Sequence, residues 1–134
     1  MSLLGELGKS HHVSLTTFRR DGRAVPTVLG VAVDDQGRVC MLTPPGSGKV
    51  KRIRNNARVR LSPSDGQGRI PDDASSGEGT TRLADRDETA RIRKLMTRKY
   101  LAARLVLWTD RFRPPHKHWI GIVVTIRTER SPRR

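Results

Sequence analysis

Apolar and polar positions alternate in several short runs, and only a few stretches show helical spacing. Val13-Ser14-Leu15-Thr16-Thr17-Phe18 alternates and is rich in β-formers, and Arg19-Arg20-Asp21-Gly22 follows it. Asp-Gly between two β-prone runs is a hairpin signal. The second run spans Ala24 to Val33 and closes at Asp34-Asp35-Gln36-Gly37, and a third spans Arg38 to Thr43. Three strands joined by two tight turns predict an antiparallel meander. Ala57 to Ser62 alternates again as a fourth strand, Glu78 to Leu83 is a fifth, and Lys117 to Arg127 is the last. Between strands four and five, Ser64 to Gly79 is rich in Gly, Ser and Asp and reads as a long mobile loop, of a length usually tied to function.

Three stretches carry helical periodicity. Ser2 to Lys9 places Leu3, Leu4 and Leu7 on one face. Lys49 to Asn55 has Ser47 as its expected N-cap, with Val50, Ile53 and Ala57 on one side. Asp85 to about Ala103 is the longest helix, and Asp85 with Glu88 forms a capping-box pattern. Its buried stripe is Ile92, Leu95, Met96, Tyr100 and Ala103, while Arg91, Lys94 and Arg98 face water. Arg104 to His116 fits no period and ends in Pro114-Pro115. The expected fold is mainly β, an antiparallel barrel with two to three helices. It forms one domain over residues 1–127, with a basic tail at 128–134.

Composition narrows the partners. The 134 residues carry 27 Lys and Arg against 13 Asp and Glu, a net charge of +14, so the surface should attract anions. Apolar residues are only 34%, which fits either a mobile loop or a core completed in part by a second subunit. The single Cys40 sits in an apolar run and reads as a buried thiol. No apolar leader or spanning segment is visible, which predicts a cytoplasmic protein with no membrane partner.

The densest chemistry lies between Val39 and Asn56, VCMLTPPGSGKVKRIRNN. An apolar run enters a Pro/Gly/Ser turn that opens directly into Lys49, Lys51, Arg52 and Arg54. A nucleotide P-loop needs G-x-x-x-x-G-K-[S/T]. Here Thr43 occupies the first position and Val50 the last, so the P-loop fails. The weaker requirement survives: small residues that let backbone N–H groups approach an anion at a helix start, with Lys49 and Arg52 nearby. A solvated basic helix face is the alternative of equal weight. Elsewhere, His11, His12, His116 and His118 form no metal-ligand pattern, and no nucleophile elbow is present. An enzyme built this way needs a cofactor to supply its chemistry. Aromatics are 4% and dispersed over Phe18, Tyr100, Trp108, Phe112 and Trp119, which disfavours base stacking on nucleic acid.

The order VSLTTFRRDGRAVPT, GSGKVKRIRNNARVRLSP, EGTTRLAD and a basic helix ending RKY resembles the FMN-binding split β-barrel superfamily, related to pyridoxamine 5'-phosphate oxidases. Within it, the sequence is most similar to small actinobacterial-type oxidoreductases that use the deazaflavin coenzyme F420. The resemblance implies a homodimer with two clefts at the interface. It implies that Ser47, Gly48, Lys49 and Lys51 take the cofactor phosphate, with Thr43 at the strand end and Arg52 alongside. Thr16 and Thr17 are expected to border the ring. The implied reaction is hydride transfer between F420 and a small electron-poor acceptor of quinone, enone or tetrapyrrole type, with a proton from Thr17 or water. FMN is the alternative cofactor, a cofactor carrier the alternative role in this fold, and a nonspecific nucleic-acid-binding domain the alternative of another class. Against the family pattern, Val28-Leu29-Gly30 replaces an aromatic, so Gly30 is expected to widen the pocket or weaken ring packing.

Overall fold

The structure, a computed structural model, describes residues 2–102 and 118–130. The unassigned segment 104–116, with Trp108, Phe112 and His116, lies outside these residues, as do Ala103 and the end of the tail. In order, the elements are α1 (Leu3–Lys9), β1 (His12–Phe18), β2 (Ala24–Gly30), β3 (Ala32–Val33), β4 (Val39–Thr43), α2 (Gly48–Asn55), β5 (Arg58–Ser64), β6 (Ser76–Leu83), α3 (Arg86–Ala102) and β7 (Ile120–Arg130).

All seven strands join one antiparallel sheet in the order β2-β1-β5-β6-β7-β4-β3. Its two edge strands are consecutive in the chain, separated only by Val31. The sheet must therefore curl until its edges meet. The predicted run Ala24 to Val33 is thus two strands, because the chain changes partners from β1 to β4 at Val31. The expected meander is correspondingly interrupted: β2 and β4 are not hydrogen-bonded neighbours. Both predicted hairpin turns form, with Gly22 at φ 93° and Gly37 at φ 76°, in the region glycine tolerates best.

Strand alternation divides the apolar side chains between two cores. Val13, Leu15, Leu29, Val31, Val39, Met41, Val59, Leu61, Ile122 and Val124 fill the interior of the curled sheet. Leu3 and Leu7 of α1 close this core from one side, and Ile53 of α2 joins it too. Each such side chain contributes about 1.5–3 kcal/mol on burial. Outside the sheet, Ile92 and Met96 of α3 pack on Ala32, Cys40, Leu42, Ala84 and Val123. Leu95, Tyr100 and Trp119 border that second cluster, and Arg91, Lys94 and Arg98 are exposed as expected. Cys40 is buried, and burial pushes its thiol up to about 12.

Three local expectations need correction. The capping box of α3 is half formed: the Glu88 backbone N–H donates to Asp85 Oδ1 at 2.8 Å, but the Glu88 carboxylate pairs with Arg82 at 2.5 and 2.9 Å. The Arg82 guanidinium outcompetes a backbone N–H for that charge. The 64–79 loop is shorter than expected, because β5 runs to Ser64 and β6 begins at Ser76. What remains is tied down: Glu6 accepts from Ser75 N at 2.9 Å and Oγ at 2.6 Å, and Ser62 donates to Ser75 O at 2.8 Å. The last strand runs to Arg130, so part of the expected tail belongs to the sheet.

Gly30 has a different task from the one its sequence context suggests. A Cβ there would lie 2.5 Å from the Tyr100 hydroxyl, which donates to His11 O at 3.0 Å. Beside it, the Lys99 ammonium donates to Val31 O at 2.7 Å, Leu7 O at 3.3 Å and, more closely, Ser10 O. The end of α3 thereby clips the end of α1 to the break between β2 and β3.

Candidate functional site

β1 and β4 run in the same direction, so both deliver their C-terminal ends to the side of the sheet where α2 begins. Thr17 follows Val13 and Leu15 on the inward face of β1, and Thr43 follows Val39 and Met41 on the inward face of β4. Both threonines are fully buried. From Thr43 the chain passes through Pro44-Pro45-Gly46 into Ser47, whose N–H donates to Pro44 O at 3.2 Å. Ser47 is extended at φ −72°, ψ 159°, the backbone of an N-cap, yet its side chain caps nothing. Capping there is left to the backbone alone, and the hydroxyl is left over.

That leftover is informative. Among the described residues, the hydroxyls of Thr43, Ser47 and Thr81 are buried and find no hydrogen-bond partner. A buried orphan hydroxyl typically costs about 1–3 kcal/mol, so such groups call for a partner supplied by a ligand or water. Two of the three flank the start of α2, where unpaired backbone N–H groups and the helix dipole favour an anion.

The cations converge on the same place. Arg52 sits one turn into α2 and leans back toward the helix start, as helical side chains do. Its Nε donates to Thr17 Oγ1 at 2.6 Å. Its Nη1 lies 2.9 Å from where a Gly48 Cβ would stand, so any side chain at 48 would displace the guanidinium. Burial lowers the Arg52 pKa, with a further push from the charge of Arg19. Burial likewise lowers the Lys49 pKa, followed by repulsion from Arg52. Neither cation forms an ion pair with a carboxylate among the described residues. Like charges held together without a counter-charge raise the local potential, which a bound anion relieves.

The structure thus places Ser47, Gly48, Lys49 and Arg52 on the first turns of α2, with Thr17 bonded to Arg52 and Thr43 at the end of the strand that leads into the helix. Lys51 is exposed on α2 and forms no ion pair with a carboxylate among the described residues. Thr16 and Thr17 point to opposite faces of β1, because strand side chains alternate. Thr16 instead lines a cavity of about 440 Å³ between the outer face of β1, β5 and β6 and the 65–75 loop. Arg60, Arg130, Ser14, Ser62 and Ile70 share that lining. Sequence reasoning missed Arg60, whose guanidinium lies 5.6 Å from the Phe18 ring centroid, with Arg58 at 4.4 Å. The alternating ARVRLS pattern was the available signal. No group of three metal-ligating side chains occurs among the described residues.

No protein-family model matches the sequence. No curated protein matches it either. Solved structures do match. A conserved hypothetical protein from Mycobacterium tuberculosis superposes with a TM-score of 0.73 at 22% identity, covering 96% of this chain and 80% of that one. An F420 reductase superposes with a TM-score of 0.68 at 20% identity, covering 93% of each chain. A candidate pyridoxamine 5'-phosphate oxidase from Listeria innocua gives 0.67 at 15% identity, covering 96% of this chain and 93% of that one. The fold is the split β-barrel of pyridoxamine-phosphate-oxidase-like proteins. An F420 reductase and a candidate pyridoxamine 5'-phosphate oxidase are thus among its fold neighbours, and the split barrel here has a candidate anion cradle at the start of α2. The cradle's chemistry fits a phosphate: cations without counter-charge, orphan hydroxyl donors, and a glycine where a side chain would block a guanidinium. No helix among the described residues is long and apolar enough to cross a membrane.

Proposed function

We propose that this split barrel is a cytoplasmic oxidoreductase that binds the deazaflavin coenzyme F420 through its phosphate and serves a small electron-poor acceptor of quinone, enone or tetrapyrrole type. The observation that carries the reading is the cradle at the start of α2. Lys49 and Arg52 supply charge, and the buried hydroxyls of Thr43 and Ser47 supply the donors that an anion needs. When bound, the deazaflavin ring supplies the hydride chemistry. The chain's own residues bind and orient: Lys49 as a mobile point charge, Arg52 as a planar fork, and the backbone N–H groups of the first turn at fixed positions. Similarity to an F420 reductase over 93% of both chains supports the choice of cofactor.

Among the described residues, no helix packs on the outer face of β2, β1, β5 and β6. It holds the 440 Å³ cavity beside Thr16. We assign this face to a homodimer partner that completes the ring site, in keeping with the low apolar content. FMN is the second reading of the cofactor, supported by the likeness to a candidate pyridoxamine 5'-phosphate oxidase. Nonspecific nucleic-acid binding is the competing reading that the +14 charge keeps in play.

Fluorescence titration of the purified protein with F420 and with FMN tests the proposal. Saturable binding of F420, tighter than FMN, is the expected result. Binding of neither, together with salt-sensitive retention on DNA, would replace the oxidoreductase reading with the nucleic-acid one. Sedimentation in the same buffer tests the dimer, and a monomer at tens of micromolar would remove it.

A further inference from the structure

Arg52 is held in an unusual way for a cation on an exposed basic helix. It belongs to α2, but its Nε hydrogen is given to Thr17 Oγ1, 2.6 Å away on β1 and 35 positions earlier in the chain. Thr17 is fully buried and sits at the polar end of an otherwise apolar row, after Val13 and Leu15. A valine would satisfy the packing of that row equally well. The hydroxyl has one visible use, which is to accept from Arg52.

The consequence for the guanidinium is geometric. It has five N–H bonds in a rigid plane. Thr17 takes the one on Nε. The terminal nitrogens then lie across the first turn of α2, with Nη1 at 2.9 Å and Nη2 at 4.0 Å from the Cβ position that Gly48 leaves open. Among the described residues, orphan hydroxyls belong to Ser47, the N-cap of α2, and to Thr43, which ends β4 four positions earlier. Unheld, a solvent-facing arginine samples many rotamers and loses that freedom on binding. Held at Nε, it presents two prongs before the ligand arrives.

We infer that Thr17 is a positioning residue: it locks Arg52 so that Nη1 and Nη2 form the two-pronged clamp on a ligand phosphate, and Gly48 is the opening that lets the clamp close over the helix start. This rests on the cofactor-phosphate reading above. It replaces the expectation that Thr17 borders the ring, and it makes affinity for the phosphate end, rather than for the ring, depend on β1.

The test compares ligands that share a ring and differ at the phosphate end; FMN and riboflavin differ in the phosphate alone. Wild type, Thr17→Val, Thr17→Ser and Gly48→Ala are titrated with FMN and riboflavin, and with F420 and its phosphate-free deazaflavin chromophore. Thermal shift with inorganic phosphate runs in parallel. Thr17→Val is expected to weaken the phosphate-bearing ligands about tenfold, the scale of a charge-assisted hydrogen bond. The phosphate-free ones should change less than about twofold by the same reasoning. Thr17→Ser should retain most of the affinity. Gly48→Ala should show the same phosphate-selective loss even though alanine is the better helix former. Equal losses for both ligand types, or none, would make the Thr17–Arg52 bond a mere tie between β1 and α2 and overturn the inference. Should wild type bind neither flavin nor deazaflavin, the cofactor reading falls by itself. Phosphate then decides the clamp: stabilisation of wild type that Thr17→Val loses upholds it, and stabilisation absent or unchanged overturns it.

Discussion

Lys99→Met isolates the clip that closes the barrel. Methionine keeps the length and apolar packing of the lysine stem but donates no hydrogen bond. Three carbonyls lose their shared donor: Leu7 O and Ser10 O at the end of α1, and Val31 O at the break between β2 and β3. Hydrogen bonds from a charged donor contribute about 1.5–3 kcal/mol each when made in isolation. Two effects reduce the sum. The three bonds share one nitrogen, and burial penalises the ammonium, lowering its pKa to about 8. A net loss of about 2 kcal/mol follows from offsetting these terms. For a chain of this size that corresponds to a Tm drop of about 6–10 °C. Calorimetry at pH 7 measures it, with Lys94→Met on the exposed face of α3 as the control. Hydrogen exchange adds a spatial readout, since amides at residues 8–12 and 30–32 should lose protection together. A Tm within about 2 °C of wild type, where the estimate requires several degrees, would refute the view that α3 holds the barrel edges together.

Other outcomes follow from the same geometry. Lys49→Ala should weaken binding of the phosphate-bearing cofactor by about tenfold or more, the scale of one charge-assisted contact; unchanged affinity by fluorescence titration would place the phosphate elsewhere. Gly30→Ala should destabilise by about 1–3 kcal/mol through overpacking against the Tyr100 hydroxyl, and Tyr100→Phe in the same chain should recover part of that loss. A denaturation double-mutant cycle with no coupling between the two would show that the clash is relieved another way. Glu88→Gln should lower stability by under about 1 kcal/mol near neutral pH, where the half-exposed Arg82 pair forms. The Arg82 hydrogen bond lowers the Glu88 pKa, so its contribution is present above the unfolded value of 4.5 and vanishes as pH falls through the folded one. Urea curves at pH 7 and pH 2.5 should therefore differ between wild type and variant only at the higher pH.

Much of the secondary structure was legible locally. The two-residue period at 13–18 and 57–62, and the Asp-Gly and Gln-Gly turns, each depend on neighbours in the chain. The Gly/Ser turn that opens into the basic helix α2 was legible for the same reason, since Ser47, Gly48 and Lys49 are adjacent. The break at Val31 was not. Ala24 to Val33 has one continuous apolar pattern, and only the meeting of the sheet's two edges forces the chain to change partners there. Lys99 was hidden among the other basic residues of α3, because a clip to three carbonyls leaves no periodic trace.

Local pattern was therefore enough to establish a mainly β chain with a basic helix opening from a Gly/Ser turn, because hydrophobic period, turn chemistry and charge spacing act over a few residues. Tertiary structure alone decided which cations and hydroxyls share a site. Thr17 and Arg52 are 35 positions apart and meet because β1 and β4 deliver their ends to the same side of a closed sheet. Alternation along β1 then sends Thr17 inward to the arginine and Thr16 outward to a different cavity. A side chain's face is set by the register of its strand, and that register is fixed by partners far away in the chain.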